Sequence, residues 1–138
     1  MQLIVIAAGD TGRGDEGVAH RVLELLGAEP NVFVHDVSQL DKALAEEIAP
    51  ADEVLFIDSS RELGDPWVEP ACGAAEAAEI VDLARSRYCF RGHAYVCHVP
   101  GLEFSEGSRL TAYAEARARK AADLVRRFLA IAPEPAPI

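Results

Sequence analysis

The sequence predicts a three-layer α/β/α sandwich built on a mostly parallel sheet of about five strands. Three features predict it. Short apolar runs alternate with stretches of helical periodicity, glycine and proline punctuate the joins, and one apolar run has no polar interruption at all. Strands alternating with helices imply right-handed crossovers, and a crossover sheet has to be covered on both faces. With 138 residues, the chain has the usual size of one domain and can bury a core without staples. That domain is assigned to residues 1–131.

Gln2 to Ala7 read as the first buried strand. After a glycine-rich turn, Val18, Val22, Leu25 and Leu26 mark one face of a helix that Gly27 stops. Val32-Phe33-Val34 is a second strand, ending at His35-Asp36. Ser38 is placed as the cap of a second helix whose inner face is Leu40, Ala43, Leu44 and Ile48, with Asp41 at the capping-box position. Val54 to Ile57 is the uninterrupted run, expected at the centre of the sheet, and Asp58 sits at its carboxyl end. Residues 59–71 are irregular, with room for a short strand at Trp67-Val68. Ala77, Ile80, Val81 and Ala84 define a third helix. Ala94 to Val99 is the last strand, and a long helix starts near Thr111. Residues 132–138 are proline-rich and expected to be a frayed tail.

Composition narrows the function. Half the residues are hydrophobic and 26% are charged, with a formal net charge of −10. Such a field repels phosphate backbones and anionic lipid, so neither nucleic acid nor a membrane is an expected partner. The opening apolar stretch has no basic flank and is too short for a signal or a span. Cys72, Cys89 and Cys97 are an odd set with no C-x-x-C pair, which fits reduced thiols in the cytoplasm.

In an open α/β sheet the working site lies beyond the carboxyl ends of the strands. The first loop there runs from Gly9 to Gly17 and carries Asp10, Asp15 and Glu16. Its glycines lack both the dinucleotide and the G-K-[ST] spacing, and three carboxylates repel phosphate and attract a cation. Asp15 and Glu16 also suit a helix start, where acids complement the dipole. Asp58 ends an apolar strand at the same edge, where an uncompensated carboxylate is costly. Glu16 and Asp58 together make an oxygen-rich half-site for a metal ion or for acid–base work. Among the histidines, His20 is expected to be solvated, His35 and His93 to lie at the surface, and His98 to end the last strand beside Pro100-Gly101, at the same sheet edge as Asp58.

These motifs, in this order, resemble the nickel-dependent hydrogenase maturation proteases. The matching runs are Gly9-Asp10, then Gly14-Asp15-Glu16-Gly17-Val18; Val54 to Ser59; His35 to Leu40; and Ala94 to Gly101 followed by Phe104 and Leu110-Thr111. Asp10 stands where that family has Asn. The resemblance implies an aspartyl-type endopeptidase that removes a C-terminal peptide from the large-subunit precursor of a hydrogenase. It implies Glu16 and Asp58 as the catalytic, metal-contacting carboxylates, one of them polarising or deprotonating the attacking water. It implies no metal tightly bound at rest, because the nickel is presented by the substrate protein, and a monomeric enzyme.

The family's third metal-contacting group, a histidine opening the third helix, has no counterpart in this chain. Counting back from Ile80, Leu83 and Ala84 puts its place at Cys72 or Gly73. Cys72 is a candidate soft ligand, or a small residue in a site that has lost its metal, and His98 is the candidate stand-in. Two other classes stay open: a non-catalytic relative that binds a maturation intermediate, and a small-molecule α/β enzyme using the acidic loop with Mg²⁺.

Overall fold

The computed structural model describes residues 2–73 and 75–131. The elements run β1 (Leu3–Ala8), a 3₁₀ turn (Gly14–Gly17), α1 (Val18–Leu26), β2 (Val32–Val37), α2 (Leu44–Ile48), β3 (Glu53–Ser60), β4 (Trp67–Pro70), α3 (Ala75–Tyr88), β5 (His93–Pro100) and α4 (Ala112–Ile131). The sheet order is β2-β1-β3-β5-β4, with only β4 antiparallel to its neighbour. The expected three-layer sandwich with a mostly parallel five-stranded sheet is therefore present. The segment 132–138, expected to be a frayed tail, lies outside the described residues.

The period of two along each strand sorts the core into two layers. Ile4, Ile6, Val54, Phe56 and Val96 pack under α2 and α3 against Leu44, Ile48, Ile80 and Ala84. Val5, Ala7, Leu55, Ile57, Cys97 and Val99 face α1 and α4, against Val18, Val22, Ala118 and Val125. Ala114, Ala118 and Ala121 of α4 are fully buried, and side chains that small let the helix lie close to its neighbours. β3 is central and buried on both faces from Val54 to Ile57, as an uninterrupted apolar run predicts. The three thiols are free, and burial pushes that of Cys97 up to about 12.

One element differs from expectation. α2 is a short helix, Leu44–Ile48, without a Ser38 cap. The Asp41 carboxylate instead accepts the Ala43 N–H at 2.8 Å, a local turn that competes with helix at residues 41–43. Ser38, Gln39 and Leu40 are thereby released to lie across the end of the sheet. Among the described residues, no helix is long and apolar enough to cross a membrane.

Candidate functional site

The loop after β1 sends two adjacent carboxylates to opposite sides of the sheet. Gly9 adopts a φ of +150° and lies so close to the Glu16 backbone that a Cβ there would overlap the Glu16 carbonyl oxygen. This contact folds the loop back over the end of β1 and sets the 3₁₀ turn. From that turn Asp15 points toward α4 and is fully buried. It accepts hydrogen bonds from the backbone N–H groups of Leu102 (2.7 Å), Glu103 (3.0 Å) and Thr111 (2.8 Å), and from Thr111 Oγ1–H (2.7 Å). Burial alone would raise the Asp15 pKa, but the four donors outweigh it and hold the carboxyl below its usual value. Asp15 is a latch between the first loop and the start of α4. Thr111 completes it by capping α4, its Oγ1 accepting the Ala114 N–H at 3.1 Å.

Glu16 points the other way. It lines an open cavity of about 350 Å³ with Ala8, Gly9, Ser38, Gln39, Leu40, Asp58, Ser59 and Glu76. Arg13 Nε–H donates to Glu16 Oε2 at 2.6 Å. The structure thus brings the two sequence-selected carboxylates, Glu16 and Asp58, into one cavity at the carboxyl edge of neighbouring strands β1 and β3. It adds a third, Glu76, from the first turn of α3. Sequence reasoning passed over Glu76, because counting back along α3 stopped at Cys72 and Gly73. An acid in the first turn of a helix ordinarily needs no explanation beyond the dipole.

Asp58 is the most perturbed group in the cavity. Burial raises its pKa first, the Ser59 N–H donated to its Oδ1 at 2.9 Å offsets part of this, and the charges of Glu76 and Glu16 raise it further, to about 6. A carboxyl that titrates there can hold or release a proton near neutral pH, which is what acid–base catalysis requires. Among the described residues, no lysine, arginine or histidine lines this cavity, so it is a poor cradle for a phosphorylated molecule.

The remaining candidates are placed as follows. His98 is the register partner of Asp58 on β5, and both side chains belong to the α2/α3 face. His98 lines a second cavity that also contains Asp58, Ser59 and Glu76. Cys72 is exposed and lines a separate cavity with His93, Asp82 and Arg85 beside the amino-terminal half of β5; Glu16, Asp58 and Glu76 are not part of it. His20, expected in solvent, is 12% exposed. Its Nε2–H donates to the Gly9 carbonyl at 2.7 Å, and its Nδ1 meets the Asp36 carboxylate. The cause is β2, which lies against β1 and carries Asp36 up to α1. His35 pairs with Glu47 at 3.2 Å, and His93 is exposed. Among the described residues, no three His, Cys, Asp or Glu side chains converge closely enough to hold a metal ion by themselves. An ion that arrives with ligands of its own needs fewer donors, and carboxylates at the rim of an open cavity can supply them.

No protein-family model and no curated protein sequence matches the chain, but solved structures do. The hydrogenase maturating endopeptidase HybD from E. coli superposes with a TM-score of 0.81 at 17% identity, over 95% of this chain and 93% of that one. The NiFe hydrogenase maturation protease HycI from Thermococcus kodakarensis KOD1 gives 0.75 at 16%, over 94% and 92%. The hydrogenase 2 maturation peptidase from Thaumarchaeota archaeon SCGC_AB-539-E09 gives 0.73 at 20%, over 95% and 99%. This chain therefore has the fold of those proteins along nearly its whole length.

Proposed function

We propose that this protein is an endopeptidase of the hydrogenase maturation type, acting in the cytoplasm as a monomer on the large-subunit precursor of a hydrogenase. One observation carries the reading. In a chain with the fold of maturation proteases, Glu16, Asp58 and Glu76 line one open cavity at the carboxyl edge of β1 and β3.

The chemistry follows from the donors. Nickel is brought by the substrate with part of its coordination already filled, and Glu16 and Asp58 complete it, with Glu76 in the third place. Glu76 takes that role over Cys72 because it lines the cavity and Cys72 does not. Like-charged carboxylates repel one another, so a divalent cation entering between them is attracted by all three. A set made only of oxygen donors holds free nickel weakly, which makes the precursor the carrier of the ion. Asp58, with the oxygen not turned to the ion, takes a proton from the water that attacks the peptide carbonyl. It then returns that proton to the departing amine.

The test is direct. Nickel-loaded and nickel-free precursor from the same genome are incubated with the protein, and the released C-terminal peptide is sought by mass spectrometry. Release from the loaded precursor alone is the expected result. A second reading, a non-catalytic relative, is favoured by the lack of three converging ligands among the described residues. Stable binding of the loaded precursor with no peptide released would select it.

A further inference from the structure

We propose that His20 is a positioning residue: bridging Asp36 to the Gly9 carbonyl, it clasps the loop after β1 so that Glu16 is presented to the acidic cavity. The proposal rests on the endopeptidase reading and adds a residue to its machinery. Gly9 lines the cavity beside Glu16 and is held from three sides. Its N–H donates to the Val37 carbonyl at 3.1 Å, extending the pairing of β1 with β2. Its α-carbon lies against the Glu16 carbonyl oxygen, which closes the loop on itself. Its own carbonyl accepts a hydrogen bond from His20 Nε2 at 2.7 Å. Only this third contact comes from a side chain. A carbonyl can only accept, so Nε2 carries the hydrogen.

The other edge of the ring explains why it points this way. Nδ1 is turned to the carboxylate of Asp36, which β2 sets opposite Ala7. A ring engaged at both nitrogens has little freedom to turn, and the contact at one nitrogen fixes what the other does. Asp36, His20 and Gly9 thus tie β2, α1 and the loop together. The ties on the α4 side reach other residues. Gly12 accepts from the Gly107 N–H at 2.8 Å, the Gly14 N–H donates to Ser108 at 3.1 Å, and the Asp15 N–H donates to Glu103 at 2.7 Å. The Glu16 carboxylate is met by Arg13, which belongs to the same loop and moves with it. Gly9, and the Glu16 backbone resting on it, are therefore set from the β2 side. A carboxylate that has to meet an ion beside Asp58 works only when its support is fixed in this way.

Two substitutions divide the contacts of the ring. In His20→Gln the amide nitrogen stands near the place of Nε2 and donates to Gly9; in His20→Asn it stands near Nδ1 and reaches Asp36 alone. Both are compared with the intact wild type by thermal melting, by NMR of the Asp10, Glu16 and Ser59 amides, and by peptide release from nickel-loaded precursor. The Asp10 nitrogen is bonded to the Gly9 carbonyl carbon and reports its hydrogen bond directly. His20→Gln should keep wild-type amide signals and a kcat/KM within about twofold of wild type. His20→Asn should displace all three signals and lose up to about tenfold in kcat/KM, the worth of one hydrogen bond. A side chain serving stability alone would give losses that follow the melting temperature, whichever nitrogen is kept. Should His20→Asn not fold, Asp36→Ala, which frees the ring without altering α1, should displace the same signals by a smaller amount. Wild-type amide signals in His20→Asn, or equal losses in both His20 variants, overturn the positioning role even if the precursor is cut. Signals displaced in His20→Asn alone, with no precursor cut by the wild type, keep the clasp and remove the endopeptidase reading.

Discussion

Asp15 accepts four hydrogen bonds from the Leu102–Thr111 segment, whereas Asp58 accepts one, from Ser59, and faces two other carboxylates. Both stand at the carboxyl edge of the same sheet, and both are withdrawn from solvent. The first has a lowered pKa and the second a raised one. Burial acts on both in the same direction, so the difference lies in what surrounds the oxygens. Where backbone donors converge, a buried charge becomes a structural tie. Where they are missing and like charges gather, the group is left ready to exchange a proton or bind a cation. The molecule is held together on the α4 side of its first loop and kept reactive on the α3 side.

Several substitutions sharpen or break this contrast. The largest effect is expected from Asp15→Ala, which strands three part-buried backbone donors at once. A loss of about 3–5 kcal/mol is expected from urea unfolding at pH 7.5. Because the folded pKa of Asp15 is lowered, its contribution is present above about pH 4 and is lost as the pH falls through the folded value. A loss below about 1 kcal/mol would mean that the latch is not structural.

Asp58 should behave with the opposite sign. Its folded pKa, about 6, lies above the unfolded value near 3.8. Between those values the folded state holds the extra proton, so stability falls as the pH rises from about 4 to 6 and then levels off. Asp58→Asn should therefore stabilise the protein by about 1–2 kcal/mol at pH 7.5, with little effect at pH 4. Destabilisation at pH 7.5 would show that Asp58 is held by donors after all.

A comparable effect belongs to metal affinity. Glu76→His would put an imidazole among the carboxylates, and Ni²⁺ binding by calorimetry should tighten by about tenfold or more, with Asp58→Asn cancelling the gain. An unchanged affinity would show that the start of α3 does not reach the ion. The smallest effect is expected from Arg13→Ala. The Arg13–Glu16 pair is surface-accessible, and its removal should change stability by less than about 1 kcal/mol.

Much of this was legible in the sequence, and what was missed has physical reasons. Asp58 was visible because a carboxylate closing the run Val54 to Ile57 is costly to bury unless something compensates it. Glu16 was visible as one of an acidic pair, but nothing local distinguished it from Asp15. The partners that decide Asp15's role lie 87 to 96 residues further along the chain. Glu76 was hidden by helical register: its position in the first turn of α3 makes it ordinary by itself and unusual only beside Asp58. His20 looked solvated because its helix face is polar, yet β2 brings Asp36 onto it. The fold class was legible because periodicity is local; which side chains share the acidic cavity was not, because convergence is long-range.

The most direct test of the division between the two carboxylates is a side-by-side processing assay. Asp58→Asn and Asp15→Asn are each incubated with nickel-loaded large-subunit precursor, at a temperature where circular dichroism shows both variants folded. Asp58→Asn should release C-terminal peptide at less than about one-hundredth of the wild-type rate, as the role proposed for Asp58 in proton transfer predicts. Asp15→Asn, although less stable, should process within about threefold of wild type, since its oxygens face α4 and not the cavity. Wild-type processing by Asp58→Asn would contradict the account.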